Sequence, residues 1–484
     1  MSNNQKGIVF PSLYTVVINT TCLLFCFLPS ISNCQDDYRL GHMFSKEDCL
    51  EDWNFYRNKL EKEHPNLYQY TSQLEMNQFF DSIATSITIP MNSVSFYNLI
   101  TLVLPKIKDG HTHIFPDSEP YSENDNLPYF PFKVHWEDGR MFVTRNYTSA
   151  SQPSSGTEIQ LINGINATFL YNLLMRRQIR DGYNTTYPAW ILENYFAEYY
   201  SYHIGNPFEF ILSCRKPDNT YADYTVQALP KDSIAYYKQM KYGELQEDAL
   251  FNTGITLTLD TSLHTGVLTI KDFHNDKLRS VYNQKFKEVI PDLFRQINEK
   301  QIEHLILDLR NNQGGDIENG AMLLSYLLND LFKIVQSYSV VDLKTYQIPI
   351  ARLKRTSGPE EGMHEPRADN YKGKLYVLIN GGSFSNSAIV SSVLQTNKRG
   401  IFIGEETGGN PGVFAGGGKY TNLPNTKTRI LIPNLQYEIR PTTLQTVSGL
   451  QPDLMVSPTL KDILARRDVV MEVAFQLIKG DKNQ

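Results

Sequence analysis

Leu375-Tyr-Val-Leu-Ile-Asn-Gly-Gly-Ser383-Phe-Ser385-Asn-Ser387-Ala-Ile-Val-Ser-Ser-Val-Leu394 reads as a buried strand, a glycine turn, alternating serines and a helix. Unbroken apolar residues before a glycine turn indicate a strand covered on both faces, as in parallel sheets. Three more segments repeat the theme. Gly266–Ile270 predicts a strand leading to an amphipathic helix over Lys277–Glu299. His304–Leu309 predicts a strand that runs into Arg310-Asn-Asn-Gln-Gly-Gly315, with a helix over Ala321–Leu328. Gly400–Gly404 predicts another strand. Strands alternating with helices make crossover units, so the fold class is an α/β core around a largely parallel sheet. Ligands gather at the carboxyl ends of such strands, where both Gly-Gly pairs fall. A serine there meets a helix N-terminus and free backbone N–H groups, which makes Ser385 the first candidate nucleophile. The competing reading is that Ser383, Ser385 and Ser387 only cap a helix.

With 484 residues the chain has room for roughly three domains. Hydrophobic content of 41% supports sizeable cores, and a net charge of −6 without basic blocks argues against nucleic acid as a partner. The five cysteines show no CxxC spacing, and no phosphate-cradling loop or metal cluster is visible, so no cofactor or metal is expected. Residues 1–34 read as a signal peptide: Lys6 is the only charge before Asp36, and Val16–Leu28 is mostly apolar. Cleavage falls near Ser32–Gln35, or Ile31-Ser-Asn-Cys34 serves as a loose lipobox that leaves a lipid anchor on Cys34. Either reading places the protein outside the cytoplasm, periplasmic or envelope-associated, where Cys49 and Cys214 are free to pair.

Apolar residues at three- and four-residue steps, broken by His64-Pro65-Asn66, predict a helical cap over 44–116. Asp117–Asn126 reads as an acidic connector. Short strands around two helices predict an α+β insert over 128–232, and 250–475 is the α/β part. Gly156-Thr-Glu-Ile-Gln-Leu-Ile-Asn-Gly164 resembles a segment of PDZ domains, which take a peptide as an added strand. Asn146, Asn166 and Asn184 open weak glycosylation sequons.

Three motifs carry the chemistry: Lys106-Ile-Lys-Asp-Gly-His111-Thr-His113, then Asp308-Leu-Arg-Asn-Asn-Gln-Gly-Gly315, then the serine segment followed by Gly404-Glu-Glu-Thr-Gly-Gly409. In order and spacing they resemble the C-terminal processing (tail-specific) peptidase family, including its tricorn-core and retinoid-binding-protein relatives, over about residues 44–460. The resemblance implies a ClpP/crotonase-like core. It implies Ser385 as nucleophile, and an oxyanion hole from the Asn386 N–H with that of Gly314 or Gly315. The Ser–Lys branch of the family has its lysine where this chain has Asn410, which cannot accept a proton; Lys419 lies out of register. The tricorn-like branch uses a histidine, which falls on His111, a group that titrates near neutrality.

Two departures remain. Gly110 stands where that branch has a helper serine, leaving Thr112 as a substitute, and Thr446 stands where it has a glutamate. Glu438 and Glu405 are the other candidates to orient His111. Asp308 and Arg310 read as a tie between strand end and loop, and His113 as a packing residue. The expected function is an exported serine endopeptidase acting on peptides or unfolded protein tails. The alternative is a non-catalytic peptide- or small-ligand-binding protein on the same fold; a lipase or esterase lacks its Gly-x-Ser-x-Gly here. Oligomeric state is not legible.

Overall fold

The computed structural model describes residues 41–116, 127–243, 254–341, 353–355, 361–440 and 447–482. The leader with Cys34, the connector 117–126 and Thr446 lie outside the described residues.

Three helices come early in the described residues: α1 Lys46–Glu63, α2 Gln73–Ser86 and α3 Ser93–Ile100. Ser45 with Asp48, and Ser72 with Glu75, form reciprocal capping boxes that fix where α1 and α2 start. Their apolar faces, with Trp53, Tyr56, Phe80 and Phe96, make one core that also takes in Tyr187 and Phe384. Asp52 on α1 is fully buried and accepts from Asn425 N, Thr426 N and Thr426 Oγ1. That fastens α1 to the turn before the strand Arg429–Ile432. The same strand pairs with β1, His113–Phe115, so the residues just before β1 are anchored from two sides.

The next unit is an antiparallel sheet of β2 Phe132–Glu137, β3 Arg140–Asn146, β4 Glu158–Ile162, β5 Glu209–Arg215 and β6 Tyr221–Gln227, paired in that order. Helices α4 Ala167–Met175 and α5 Thr186–His203 connect β4 to β5. Leu170, Leu192, Phe196 and Phe210 close a separate core. The backbone of α5 breaks helical geometry at Tyr195, with φ −130° and ψ 30°.

A six-stranded sheet orders β7 Ile255–Asp260, β8 Thr265–Ile270, β9 His304–Asp308, β10 Lys374–Ile379, β11 Ile401–Gly404 and β12 Leu454–Met455. Only β7–β8 is antiparallel. Alternation explains the unbroken apolar runs. Leu305, Leu307, Val377 and Ile379 face one core, whereas Ile306, Tyr376 and Leu378 face another built on the helix Val469–Lys482.

The helix expected over 277–299 is two, α6 Asn275–Tyr282 and α7 Phe286–Glu299. Asn283 takes the left-handed φ of 51°, and the Gln284 side chain bonds both backbone groups of Ile255, pinning the break to the sheet edge. α8 Ile317–Leu327 follows β9, and α9 Asn386–Thr396 follows β10. The helix Lys231–Tyr242 was not foreseen; it buries no residue, so it carries no apolar stripe to read. Cys49 and Cys214 are both free and sit in different cores. Among the described residues no helix is long and apolar enough to cross a membrane.

Candidate active site

The site forms where β9 and β10 end. Their loops are bound by reciprocal amide contacts. Asn311 N donates to Asn380 Oδ1 at 2.9 Å, and Asn380 Nδ2 donates to Asn311 Oδ1 at 2.8 Å. Ser383 Oγ donates to Leu309 O at 2.9 Å, and Phe384 N donates to Asn312 O at 3.0 Å. Ser383 is therefore a structural bond, and the Ser387 hydroxyl is buried.

Ser385 differs from both. It sits at the N-terminal boundary of α9 with φ 51° and ψ −123°, and its side chain makes no capping bond. A non-glycine residue held there costs of order 1–3 kcal/mol. A serine cap returns only about 1 kcal/mol, and here that bond is missing. Helix capping does not account for Ser385. The strained turn instead presents Oγ at a strand-to-helix junction.

His111 supplies the partner: its Nε2 lies 3.1 Å from Ser385 Oγ. The imidazole stacks on Phe384 at 4.7 Å, and Phe384 stacks on Tyr187 at 4.3 Å with rings 4° from parallel. The residue before Ser385 thus holds the His111 ring in plane. Burial pushes the His111 pKa below its ordinary value, against the opposing pull of Asp109, so the ring is neutral at pH 7 and able to accept a proton.

Asp109 was not singled out from the sequence, although it sits in the same motif. It is buried and accepts from Thr112 Oγ1 at 2.5 Å and from His64 Nε2 at 3.3 Å. Asn66 N donates to His64 Nδ1, which leaves the His64 proton on Nε2, facing Asp109. Those donors, with His64 and His111 nearby, hold the Asp109 carboxyl down at about 2 despite its burial. Thr112 therefore orients Asp109.

Glu438 accepts from Ser337 Oγ at 2.7 Å within a strand pair. Glu405 is held by Ser457 and the Gly381 backbone beside His135 and Glu193, and its burial raises its pKa. Asn410 is buried; its Oδ1 accepts from Gly412 N at 2.7 Å and its Nδ2 donates to Tyr70. Lys419 is exposed on a strand paired with 429–432. Arg310 bonds both Asp308 and Asp468, a structural tie.

Asn386 N heads α9, where no intrahelical acceptor exists. A Cβ on Gly314 would lie 2.7 Å from that nitrogen and from Ser385 Cβ, so only glycine fits. Gly314 N itself donates to Asn312 Oδ1 at 2.8 Å. Its own carbonyl accepts from Phe273 N, and Asp316 N donates to Phe273 O.

A strained serine, a neutral imidazole and a glycine turn thus meet at parallel strand ends. Residues 264–454 match the family model of Peptidase family S41. A tail-specific protease of Haemophilus influenzae is 31% identical over 125 residues, a stretch that covers 25% of this chain and 15% of that protein's length. The crystal structure of mature CPAF shares the fold, with a TM-score of 0.65 at 15% identity over 90% of this chain and 98% of that one. The complex of mature CPAF with lactacystin matches with the same score and identity.

Proposed function

We propose that the protein is an exported serine endopeptidase that cleaves peptides or protein C-terminal tails through an acyl-enzyme. The observation that carries this reading is the 3.1 Å contact between His111 Nε2 and the strained Ser385 Oγ. Ser385 Oγ attacks the scissile carbonyl and passes its proton to His111, which returns it to the leaving amine. Asp109 faces the imidazolium formed in between. Asn386 N–H is one oxyanion donor. With Gly314 N–H committed to Asn312, the second donor in this reading is Gly315 N–H, which alternation along the backbone directs away from Phe273.

In the same reading residues 44–116 form a helical cap, 128–232 a PDZ-like domain and 250–475 a ClpP/crotonase-like peptidase domain. The support for the second is β2, an edge strand lying beside α5, where an extended peptide would add. His135 and Glu193 span that edge at 2.9 Å, and Lys133 and Asn194 at 2.9 Å. Export rests on the reading of residues 1–34.

Ser385→Ala tests the assignment. Hydrolysis of denatured casein and labelling by a fluorophosphonate probe should both vanish, a loss of about a millionfold in kcat, with the melting curve unchanged. Unchanged hydrolysis in the variant would sink the assignment. A wild-type protein that binds peptide but never labels would favour the non-catalytic alternative.

A further inference from the structure

The loop between α4 and α5 belongs by sequence to the α+β insert, yet its bonds go to the catalytic loops. Gly182 N donates to Lys108 O at 2.9 Å. Asn184 Nδ2 donates to Thr407 O at 2.9 Å, and Thr186 Oγ1 to Glu406 O at 3.0 Å. Asp181 stands at the centre of this seam and is 3% exposed. One of its oxygens accepts from Gly110 N at 2.7 Å, the other from Asn410 N at 3.0 Å. One oxygen of Asp181, one of Asp109 and a ring nitrogen of His111 all lie within 4.8 Å of one another.

Building on the serine–histidine reading above, we propose that Asp181 is the positioning residue for His111. Its carboxyl clamps the histidine loop to the loop after β11 and shares one proton with Asp109, so that a single negative charge faces the imidazole. Two like charges this close in a buried site do not both ionise at ordinary cost. The asymmetry of their partners decides which keeps the charge. Asp109 takes a hydroxyl and an imidazole N–H, whereas Asp181 takes only backbone amides. Burial and Asp109 accordingly push the Asp181 carboxyl up to about 7.

The other titratable or charged groups around it are His64 on Asp109, Tyr70 on Asn410, Tyr187 and Lys108. A cavity of about 10 Å3 touches both carboxylates and is bounded by Asn66, Tyr70 and Lys108, space for about one water to exchange protons with the pair. The clamp also bears on one departure from the family pattern. Gly110 carries no helper serine because a Cβ there would lie 2.7 Å from the Phe384 ring and 2.9 Å from Asp181 Oδ1.

When Ser385 attacks, the new C–O bond leaves negative charge on the carbonyl oxygen, and the hydroxyl proton moves to His111 Nε2. Ionisation of Asp181 above neutrality then adds a second negative charge beside the imidazolium and lowers the barrier further.

The test uses the full-length protein, casein hydrolysis, and the rate of fluorophosphonate labelling from pH 5 to 9. Wild type should label at Ser385 with two rises, one below pH 6.5 from His111 and one near 7 from the carboxyl pair. Asp181→Asn should lose about a hundredfold in kcat with KM within about twofold, and should lose the upper rise. Asp181→Glu keeps the acid in a shifted place, so it should recover the upper rise with only part of the rate; it serves equally if the asparagine variant fails to fold. Labelling at Ser385 that is as fast in Asp181→Asn as in wild type overturns the proposal, as does a wild-type profile with a single rise. Absence of any labelling in wild type instead overturns the serine–histidine reading beneath it.

Discussion

The serine half and the histidine half of this site are built in opposite ways. Ser385 is set by two adjacent strand ends whose loops lock to each other through Asn311, Asn380 and Ser383. Its geometry is written into two short continuous motifs and stored as backbone strain. His111 sits on a loop whose conformation depends on α1, β1, the α4–α5 loop and the loop after β11, through His64, Asp181 and Asn410. A nucleophile made from local structure tolerates change at a distance. A base assembled from remote segments does not, so substitutions around His111 should give graded losses where those at Ser385 give an all-or-none one.

The largest graded effect is expected for His111→Ala. Loss of the base should cut kcat about as deeply as loss of the serine, because the two act as a unit, and activity should fall by about four to six orders of magnitude in casein hydrolysis. Full activity would break the comparison at its root and turn attention to Lys419. The wild-type kcat/KM profile should place its acid limb below the ordinary imidazole value of about 6.5, following the downward shift of His111.

Asp109→Asn should follow, with a loss of about a hundred- to a thousandfold in kcat, since it removes the charge that faces the imidazolium. It also carries a stability signature. The folded carboxyl is held at about 2, below its unfolded value near 3.9, so its stabilisation is present above pH 4 and disappears as pH falls through 2. The melting temperatures of variant and wild type should therefore differ at pH 7 and converge towards pH 2. A gap that stays constant across that range would show that Asp109 is not held as an ion.

What was legible follows the same division. Gly315, Asn386 and Ser385 follow unbroken apolar runs that end in glycines, which announces a parallel strand end. The split between α6 and α7 was not legible, because Asn283 looks like any polar helix residue until Gln284 is seen bonding the sheet edge. His64 and Asp181 were invisible for a stronger reason. Each lies dozens of residues from His111, on segments whose own patterns describe only a helix end and a turn. Asp109 was within reach, being a carboxylate two residues before a candidate base, whereas Glu405 and Glu438, the acids the motifs suggested, bond elsewhere. The one local hint of the clamp was Gly110, a missing side chain where the family resemblance led one to expect a serine.

Gly110→Ser sharpens the contrast most economically, because it restores the expected residue and should still do harm. The new Cβ would lie 2.7 Å from two atoms of the Phe384 ring and 2.9 Å from Asp181 Oδ1. Phe384 cannot swing aside, being stacked between His111 and Tyr187. The clash must move the ring, and the imidazole with it, for a loss of about tenfold in kcat. Phe384→Leu alone removes the stack and should cost several-fold. Combined with Gly110→Ser it also removes the obstruction, so the double variant should be more active than the product of the two single losses. Strict additivity would mean that the serine at position 110 does its damage through Asp181 alone, leaving the ring stack out of the placement of His111.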